Sequence, residues 1–344
     1  MAKIRIGGTV LTLAVLMLIG AVAVKGLAYY TYAVRGAVIK SGFADMPTGA
    51  SVSMQAAILH SEGFLKDTVD FMAMARRFDY KNAKPGHYRL EKGMTFRTLL
   101  SMLRSGNQTP VKVTFNNIRS LERLAGAVSR SIEADSASLL AAFRSGAIAS
   151  KYGFDRANFI SMFIPDTYEF YWTVTPEEFI ARMNKEYDRF WAADDRDAKR
   201  KSLGMSRQEV STLASIVVEE SKYLPEQPRI AGVYINRLRK RMPLQADPTV
   251  KYALGDPSIK RILFKHLEVE SPYNTYKRIG LPPGPIYCPP KSAIDAVLDY
   301  QKHNYLYFCA SPDLSGRHSF ATTLDQHNAN ARRYAEALNR AGIR

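Results

Sequence analysis

The chain has 344 residues, 46% of them hydrophobic, which is enough for two domains with buried cores. Its 48 Lys and Arg residues outnumber its 32 Asp and Glu residues, and the net charge of +16 favours an anionic partner such as nucleic acid, an acidic membrane surface or a cell-wall polymer. The sequence carries neither a zinc-finger spacing nor an RNA-binding aromatic signature, which disfavours nucleic acid.

The amino-terminal run of uncharged residues, 6–24, matches the roughly 20 residues that a helix needs to cross a bilayer. Lys3 and Arg5 precede it and Lys25 follows it, so the leader is predicted to stay in the cytoplasm and the rest of the chain to lie outside. A cleaved signal peptide is the alternative, but its apolar core is typically only about 7–15 residues long. We therefore predict a leader and an uncleaved anchor over residues 1–30.

Short elements predict a small α+β module over residues 31–110. Residues 27–45 suggest a stalk or an extended segment. Apolar periodicity predicts helices, and turn residues followed by alternation predict strands. The helices are expected at 51–65, 69–78 and 95–104, and strands at 84–90 and, just beyond the module, at 111–115.

The remaining residues, 111–344, are mainly helical by the same criteria. Helices are predicted at 121–132, 136–144, 176–191, 206–221, 228–239 and 292–300. Proline-rich loops are expected at 281–286 and 289–290, and a strand at 304–310. The overall fold class is α+β: an anchor, a small module and a larger helix-rich domain.

The predicted helix 206–221 carries the first indication of chemistry. Ser206 and Glu209 form a capping box, and a buried stripe follows on Val210, Leu213, Ala214 and Val217. Glu220 falls on the edge of that stripe and Glu219 on the far side. Apolar neighbours and the helix carboxyl end both favour a neutral carboxyl at Glu220, which a general acid requires. On spacing alone, a pair of solvated glutamates at a fraying helix end is the commoner case.

Several downstream motifs change that balance. They are residues 242–250 (MPLQADPTV), 271–276 (SPYNTY), 280–286 (GLPPGPI), 305–308 (YLYF) and 318–320 (HSF). In this order they resemble the YceG/MltG family of endolytic murein transglycosylases, from about residue 165 to the carboxyl end. The resemblance implies a lysozyme-like catalytic domain and a LysM-like module, the latter on residues 86–90 (GHYRL) and 93–95 (GMT).

The resemblance also implies roles for individual residues. The family's catalytic Glu precedes a Ser or Thr, which selects Glu220 before Ser221, although Val218 stands where an acidic residue is expected. The resemblance implies substrate binding by Gln245, Asp247, Tyr273 and Asn274. Two aromatic residues, Tyr276 and Phe320, could stack on sugars, and His318 could line the cleft. For each of these residues an ordinary structural role is the alternative. The basic run from Arg237 to Arg241 is interpreted as a solvated face, with attraction to the carboxylates of peptidoglycan stems as the alternative.

The implied reaction needs one carboxyl group instead of the usual two. Glu220 would protonate the oxygen leaving C1 of MurNAc, in the β-1,4 bond to GlcNAc, then accept the proton of that sugar's C6 hydroxyl, leaving a 1,6-anhydro end. Two alternatives remain: a hydrolytic muramidase using Glu220 with Asp247, and a non-catalytic scaffold that binds the wall.

The expected setting follows from the same features. The predicted partners are peptidoglycan strands, the membrane that the chain crosses once, and peptidoglycan synthases, with termination of nascent glycan strands as the implied task. The catalytic domain is expected on the periplasmic side of the bacterial cytoplasmic membrane. We predict no metal and no other cofactor, because Cys288 and Cys309 lack a histidine in ligand-like spacing and are interpreted as free thiols.

Overall fold

The computed structural model describes residues 6–256, 258–259 and 261–343. The chain divides into two compact units. The smaller comprises Met1–Lys112, Ser131–Glu133 and Glu169–Val174, and the larger comprises Val113–Arg130, Ala134–Tyr168 and Thr175–Arg344. Lys3 and Arg5 of the predicted leader lie outside the described residues.

The first helix, α1, runs over Ile6–Ala33. Among the described residues it is the one helix long and apolar enough to cross a membrane, over Val10–Ala33. No residue of that stretch is fully buried, although Tyr32 near its end stacks on Phe78. The predicted apolar run thus forms the first part of a longer helix. The length and composition of this helix fit a single membrane span, and they would also fit a signal sequence.

The smaller unit contains two strands and three further helices. These are β1 (Gly42–Met46), α2 (Val52–Ser61), α3 (Val69–Arg77), β2 (Gly86–Leu90) and α4 (Phe96–Ser105). Strands β1 and β2 pair antiparallel, with Gly42 opposite Leu90. Strand β1 lies at the end of the segment that was predicted to be a stalk or an extended segment. One apolar core joins these elements and includes fully buried Leu59, Phe71, Tyr88 and Leu99.

Local sequence explains where two of these helices begin. The Ser51 hydroxyl accepts a hydrogen bond from the Met54 amide, and the Thr95 hydroxyl accepts one from the Thr98 amide. Helix α4 ends at Gly106, whose φ of 72° lies in the left-handed region that glycine enters freely.

The larger unit is helix-rich. Its elements are β3 (Val111–Phe115), α5 (Leu121–Val128), α6 (Ser136–Arg144), α7 (Gly146–Lys151), β4 (Asp166–Phe170), α8 (Pro176–Ala192), α9 (Arg196–Leu203), α10 (Arg207–Glu220), α11 (Gln227–Arg239), α12 (Asp247–Leu254), α13 (Lys291–Leu298), β5 (Tyr307–Ala310), β6 (His318–Ala321) and α14 (Leu324–Arg340). Strands β3 and β4 form one two-stranded sheet. A boundary between the two units falls inside each of these strands. Strands β5 and β6 form another, with Phe308 opposite Phe320.

Helix α10 lies at the centre of the larger unit. Every residue from Val210 to Val218 is buried, and the helix packs against α9, α11, α12 and α13. The predicted capping box of Ser206 and Glu209 is present. The buried face of α10 is wider than the predicted apolar stripe, because Ser211, Thr212 and Ser215 are buried as well. Their hydroxyls donate to backbone carbonyls of the preceding turn, which removes the cost of burying them.

Candidate active site

Glu220 is the last residue of α10 and lines two cavities. The first cavity has a volume of about 450 Å³ and the second about 830 Å³. Asp247 also lines both, so the two cavities meet at this pair of carboxyl groups. The first is further lined by Tyr234, Arg237, Leu244, Gln245, Tyr276, Phe308, Cys309, Ala310, His318 and His327.

The Glu220 carboxyl is held by a tyrosine of the neighbouring helix. The hydroxyl of Tyr234 on α11 donates to Glu220 Oε1 at 2.6 Å. Burial raises the pKa of Glu220 to about 7, and the charges of Asp247 and Glu219 add to the rise. The Tyr234 hydrogen bond and the Arg237 charge oppose it but do not cancel it. A carboxyl with this pKa exists in both protonation states near neutral pH, as acid–base catalysis requires.

Glu219 has a different environment. Its carboxylate pairs with Arg119 and Lys222, each at 2.7 Å, and its side chain is only 13% exposed. Burial raises the pKa of Glu219, but the two cations outweigh burial and leave it below its usual value. Glu219 therefore remains a carboxylate. The side chain of Glu219 lines the second cavity. It is therefore not on a fully solvated helix face.

Asp247 is the first residue of α12, a helix that the sequence analysis did not predict. The hydroxyl of Tyr276 donates to Asp247 Oδ1 at 2.6 Å. A carboxylate in the first turn of a helix is stabilised by the helix dipole. Both residues line the first cavity, and their predicted role in substrate binding stays a prediction.

Gln245 enters the first cavity from a strained backbone. Its φ of 53° lies in the left-handed region, which is costly for a residue with a side chain. The Gln245 amide N–H donates to the Thr275 carbonyl at 3.0 Å, and its side-chain oxygen accepts from Arg237 Nη1 at 3.2 Å. These contacts fix both ends of the residue.

Tyr273 and Asn274 line neither of the two cavities. Asn274 is fully buried, and its side-chain N–H groups donate to the Leu267 and Val269 carbonyls. Its side-chain oxygen accepts from the Tyr276 amide. No amide donor is left for a sugar, so the predicted substrate contact of Asn274 is replaced by a structural role that positions Tyr276. The Tyr273 ring packs on Tyr252 at 4.7 Å.

His318 and Phe320 both lie on β6. His318 lines the first cavity and its Nδ1 is 2.7 Å from Glu226 Oε2. Phe320 is not among the lining residues. Its ring packs on Phe308 and Tyr305, and the aromatic residue in the lining is Phe308.

A comparison with known families identifies the chain. The model of the YceG-like family matches residues 44–333. This chain belongs to the YceG-like family. The "Endolytic murein transglycosylase" of Bacillus subtilis (strain 168) is 30% identical over 311 residues, covering 86% of this chain and 85% of that protein. A protein of the same name from Streptococcus pneumoniae serotype 2 is 28% identical over 329 residues, covering 86% of this chain but 58% of that longer protein.

A solved structure is similar as well. The crystal structure of a YceG-like protein from Listeria monocytogenes aligns with a TM-score of 0.55 at 30% identity, covering 85% of this chain and 99% of that one. The mixed helix and strand architecture of the YceG-like fold thus agrees with the α+β class predicted from sequence.

Some residues of this YceG-like site were missed by the sequence analysis. Tyr234 was given no role there. Arg237 was assigned to a solvated face, which is wrong for this residue: it is 7% exposed and its guanidinium lines the first cavity. Its neighbours Arg239 and Lys240 are exposed. Because Arg237 lies in the same basic run, the sequence did not indicate that this one residue is buried.

Within the described part of the chain, no group of three His, Cys, Asp or Glu side chains could hold a metal ion. Both cysteines are free thiols, as predicted. Cys288 is buried, whereas Cys309 is only half-buried and lines the first cavity.

Proposed function

We propose that this chain is a peptidoglycan lytic transglycosylase in which Glu220 acts first as general acid and then as general base. The observation that carries the proposal is the pKa of Glu220, raised to about 7 by burial, at the point where two cavities meet. Family membership and the names of the relatives support the same activity.

In the first step, protonated Glu220 donates its proton to the glycosidic oxygen as the bond from that oxygen to MurNAc C1 breaks. The Tyr234 hydroxyl already donates to Oε1, so the acidic proton belongs on Oε2. The oxygen of the leaving GlcNAc thus departs as a neutral hydroxyl.

In the second step, the Glu220 carboxylate accepts the proton of the MurNAc C6 hydroxyl. The C6 oxygen forms a bond to C1 and closes a 1,6-anhydro ring, and Glu220 is again protonated. No water is consumed. The Tyr234 hydrogen bond stabilises the intervening carboxylate, and the nearby Arg237 charge does the same.

The two cavities support cleavage within a strand. A glycan chain lying across both places sugars on either side of Glu220, as an internal cut requires. Gln245, Asp247 and Tyr276 would then contact the sugar in the first cavity. The second candidate function is a hydrolase that uses Asp247 as its base. The position of Asp247 favours it, because this carboxyl group lines the same two cavities as Glu220.

Mass spectrometry of fragments released from purified sacculi tests the reaction. The transglycosylase produces 1,6-anhydro ends, and the two-carboxylate hydrolase produces reducing ends. Binding without release of fragments would contradict both and indicate a scaffold.

The pH dependence of cleavage depends on Tyr234. Since Glu220 must start protonated, kcat/KM should fall above about pH 7. Tyr234→Phe removes a hydrogen bond that stabilises the charged form, so the falling limb should move to higher pH. A hydrogen bond to a charged group contributes about 1.5–3 kcal/mol, which corresponds to about one to two pH units. Tyr223→Phe, at an exposed position, is the control. A limb that stays in place or moves down would contradict this role.

We further propose that α1 anchors the chain in the cytoplasmic membrane, with the larger unit on the periplasmic side. The length and apolar composition of Val10–Ala33 support this. A reporter that is active only in the cytoplasm, fused at the carboxyl end, should stay silent. Recovery of a protein that begins near Lys25 would indicate cleavage of a signal sequence instead.

The smaller unit is proposed to be the LysM-like module and to hold glycan strands without cleaving them. Its antiparallel β1–β2 pair exposes Phe43, whose ring stacks on His87 at 4.6 Å and offers an apolar surface to a sugar face. Deleting residues 45–110 should weaken binding to sacculi more than turnover of short soluble strands.

Termination of nascent strands next to peptidoglycan synthases is the task that we propose for the whole chain.

A further inference from the structure

A buried carboxylate holds the imidazole of His318 in the wall of the first cavity. Glu226 lies in the turn before α11 and is only 6% exposed. Its Oε1 accepts the backbone N–H of His318 at 3.0 Å, and its Oε2 is 2.7 Å from His318 Nδ1. Both carboxylate oxygens are thus committed to one residue that lies 92 positions away in sequence.

This arrangement fixes the state of the imidazole ring. A carboxylate can only accept, so Nδ1 carries a proton and donates it to Glu226. Among the described residues no hydrogen-bond partner is found for the other ring nitrogen, Nε2, and protein does not fully enclose that atom. In the tautomer of the neutral imidazole that carries its proton on Nδ1, Nε2 has a lone pair. Since His318 lines the first cavity, this atom can accept a hydrogen bond from a group that occupies the cavity.

The ring is also held in place by its packing. It meets the Phe308 ring edge-on at 5.3 Å, and Phe308 in turn meets Tyr234, the partner of Glu220, at 5.8 Å. His318 is therefore fixed by a hydrogen-bonded carboxylate and an aromatic contact, within the cavity that contains Glu220. A binding group fixed before the ligand arrives loses little conformational freedom on binding.

We propose that His318 is a specificity residue that accepts a hydrogen bond from an N-acetylhexosamine, and that Glu226 is its positioning residue. The donor is a sugar hydroxyl or the acetamido N–H. This inference rests on the proposed function for the class of ligand, but it assigns His318 no part in proton transfer. Glu226 acts only through the ring that it holds.

The chemistry of the cavity supports an acceptor here. The other titratable and charged groups that line it, besides Tyr234, are Glu220, Arg237, Asp247, Tyr276, Cys309 and His327. Arg237 is engaged by carbonyl oxygens and Tyr276 donates to Asp247. Burial and the Arg237 charge lower the pKa of His327, which favours the neutral form of that ring.

Binding can be measured without turnover in a Glu220→Gln background. The probe is N-acetylchitotetraose, titrated by calorimetry at pH 7.5. Adding His318→Phe, which keeps a ring but removes the nitrogen atoms, should weaken binding by about tenfold, the factor that corresponds to one hydrogen bond of about 1.4 kcal/mol. Adding Glu226→Gln, which leaves one His318 N–H without its acceptor, should weaken binding less than His318→Phe does.

The control is His60→Phe, at an exposed position in the smaller unit, which should leave affinity unchanged. In the otherwise native chain, His318→Phe should raise KM about tenfold and change kcat little. Unchanged affinity, or equal loss of kcat and thermal stability without a change in KM, would overturn the inference. Absence of cleavage by the native chain, with His318-dependent binding retained, would contradict the proposed function alone.

Discussion

Replacing Glu220 by glutamine should lower the rate of glycan cleavage by about 10²–10⁴-fold, the usual loss when acid–base catalysis is removed. The loss should be at the upper end, because the proposed reaction uses one group for both proton transfers. Glutamine keeps the size of the side chain and can still accept the Tyr234 hydrogen bond. The measurement is the release of 1,6-anhydro ends from purified sacculi. Full activity in a folded Glu220→Gln protein would refute the proposed mechanism.

Two neighbouring variants separate the alternatives. Glu219→Gln should retain most activity, because the Glu219 carboxylate is already engaged by Arg119 and Lys222. Asp247→Asn should still produce anhydro ends, at a rate lowered by lost positioning. A hydrolase with two essential carboxylates would instead lose activity with either Glu220→Gln or Asp247→Asn.

The stability of Glu220→Gln provides a check that lost activity is not lost folding. The pKa of Glu220 is raised from 4.5 to about 7 in the folded chain, so folding favours the protonated form. The contribution of Glu220 to the free energy of unfolding should therefore fall as the pH rises from about 4.5 to 7. Glutamine does not titrate and should be more stable than glutamate at pH 8, by at most about 3 kcal/mol. No such gain is expected at pH 4.

Arg237→Lys should destabilise the larger unit by about 2–4 kcal/mol, because buried oxygens lose their donors. Arg237 Nε donates to the Leu306 carbonyl at 2.6 Å, and Nη1 donates to the Leu244 carbonyl at 2.9 Å. The guanidinium group thus joins α11 to two other segments of the chain. A lysine ammonium cannot reach both in the same geometry. Activity should fall as well, because the Gln245 side chain loses its contact with Nη1.

Chemical denaturation measures the change in the free energy of unfolding. The matched control is Arg239→Lys, two residues along the same helix, where the side chain is exposed and lies over Tyr300. Its effect should stay within about 0.5 kcal/mol. Equal stability of Arg237→Lys and the wild type would show that these hydrogen bonds contribute little.

Local patterns predicted the elements that depend on local physics. Helix α6 and strand β3 have the predicted bounds, and the capping box starts α10 where expected. Helix α12 was missed because it has only eight residues and opens with Asp247 and Pro248, which suggest a turn as readily as a helix start. Strand β6, with four residues, is too short for alternation to be recognised.

The site residues that could be named from sequence are those that lie in the family motifs. The apolar stripe of its own helix left Glu220 undecided, and the motifs downstream selected it. The Tyr234 contact depends on the crossing of α10 and α11, and the Glu226–His318 contact depends on folding across 92 positions. Asn274 shows the reverse error. An amide in a motif predicts a ligand contact, but only the surrounding carbonyls reveal that its donors are already used.

The left-handed backbone at Gln245 has a consequence for attempts to improve this protein. At a φ of 53° glycine would carry no Cβ strain, so Gln245→Gly is a substitution that a search for thermostability would favour. The same substitution removes the amide group from the first cavity and frees Arg237 from one partner. Selection for heat resistance alone would therefore tend to discard this side chain, whereas joint selection for turnover would keep it.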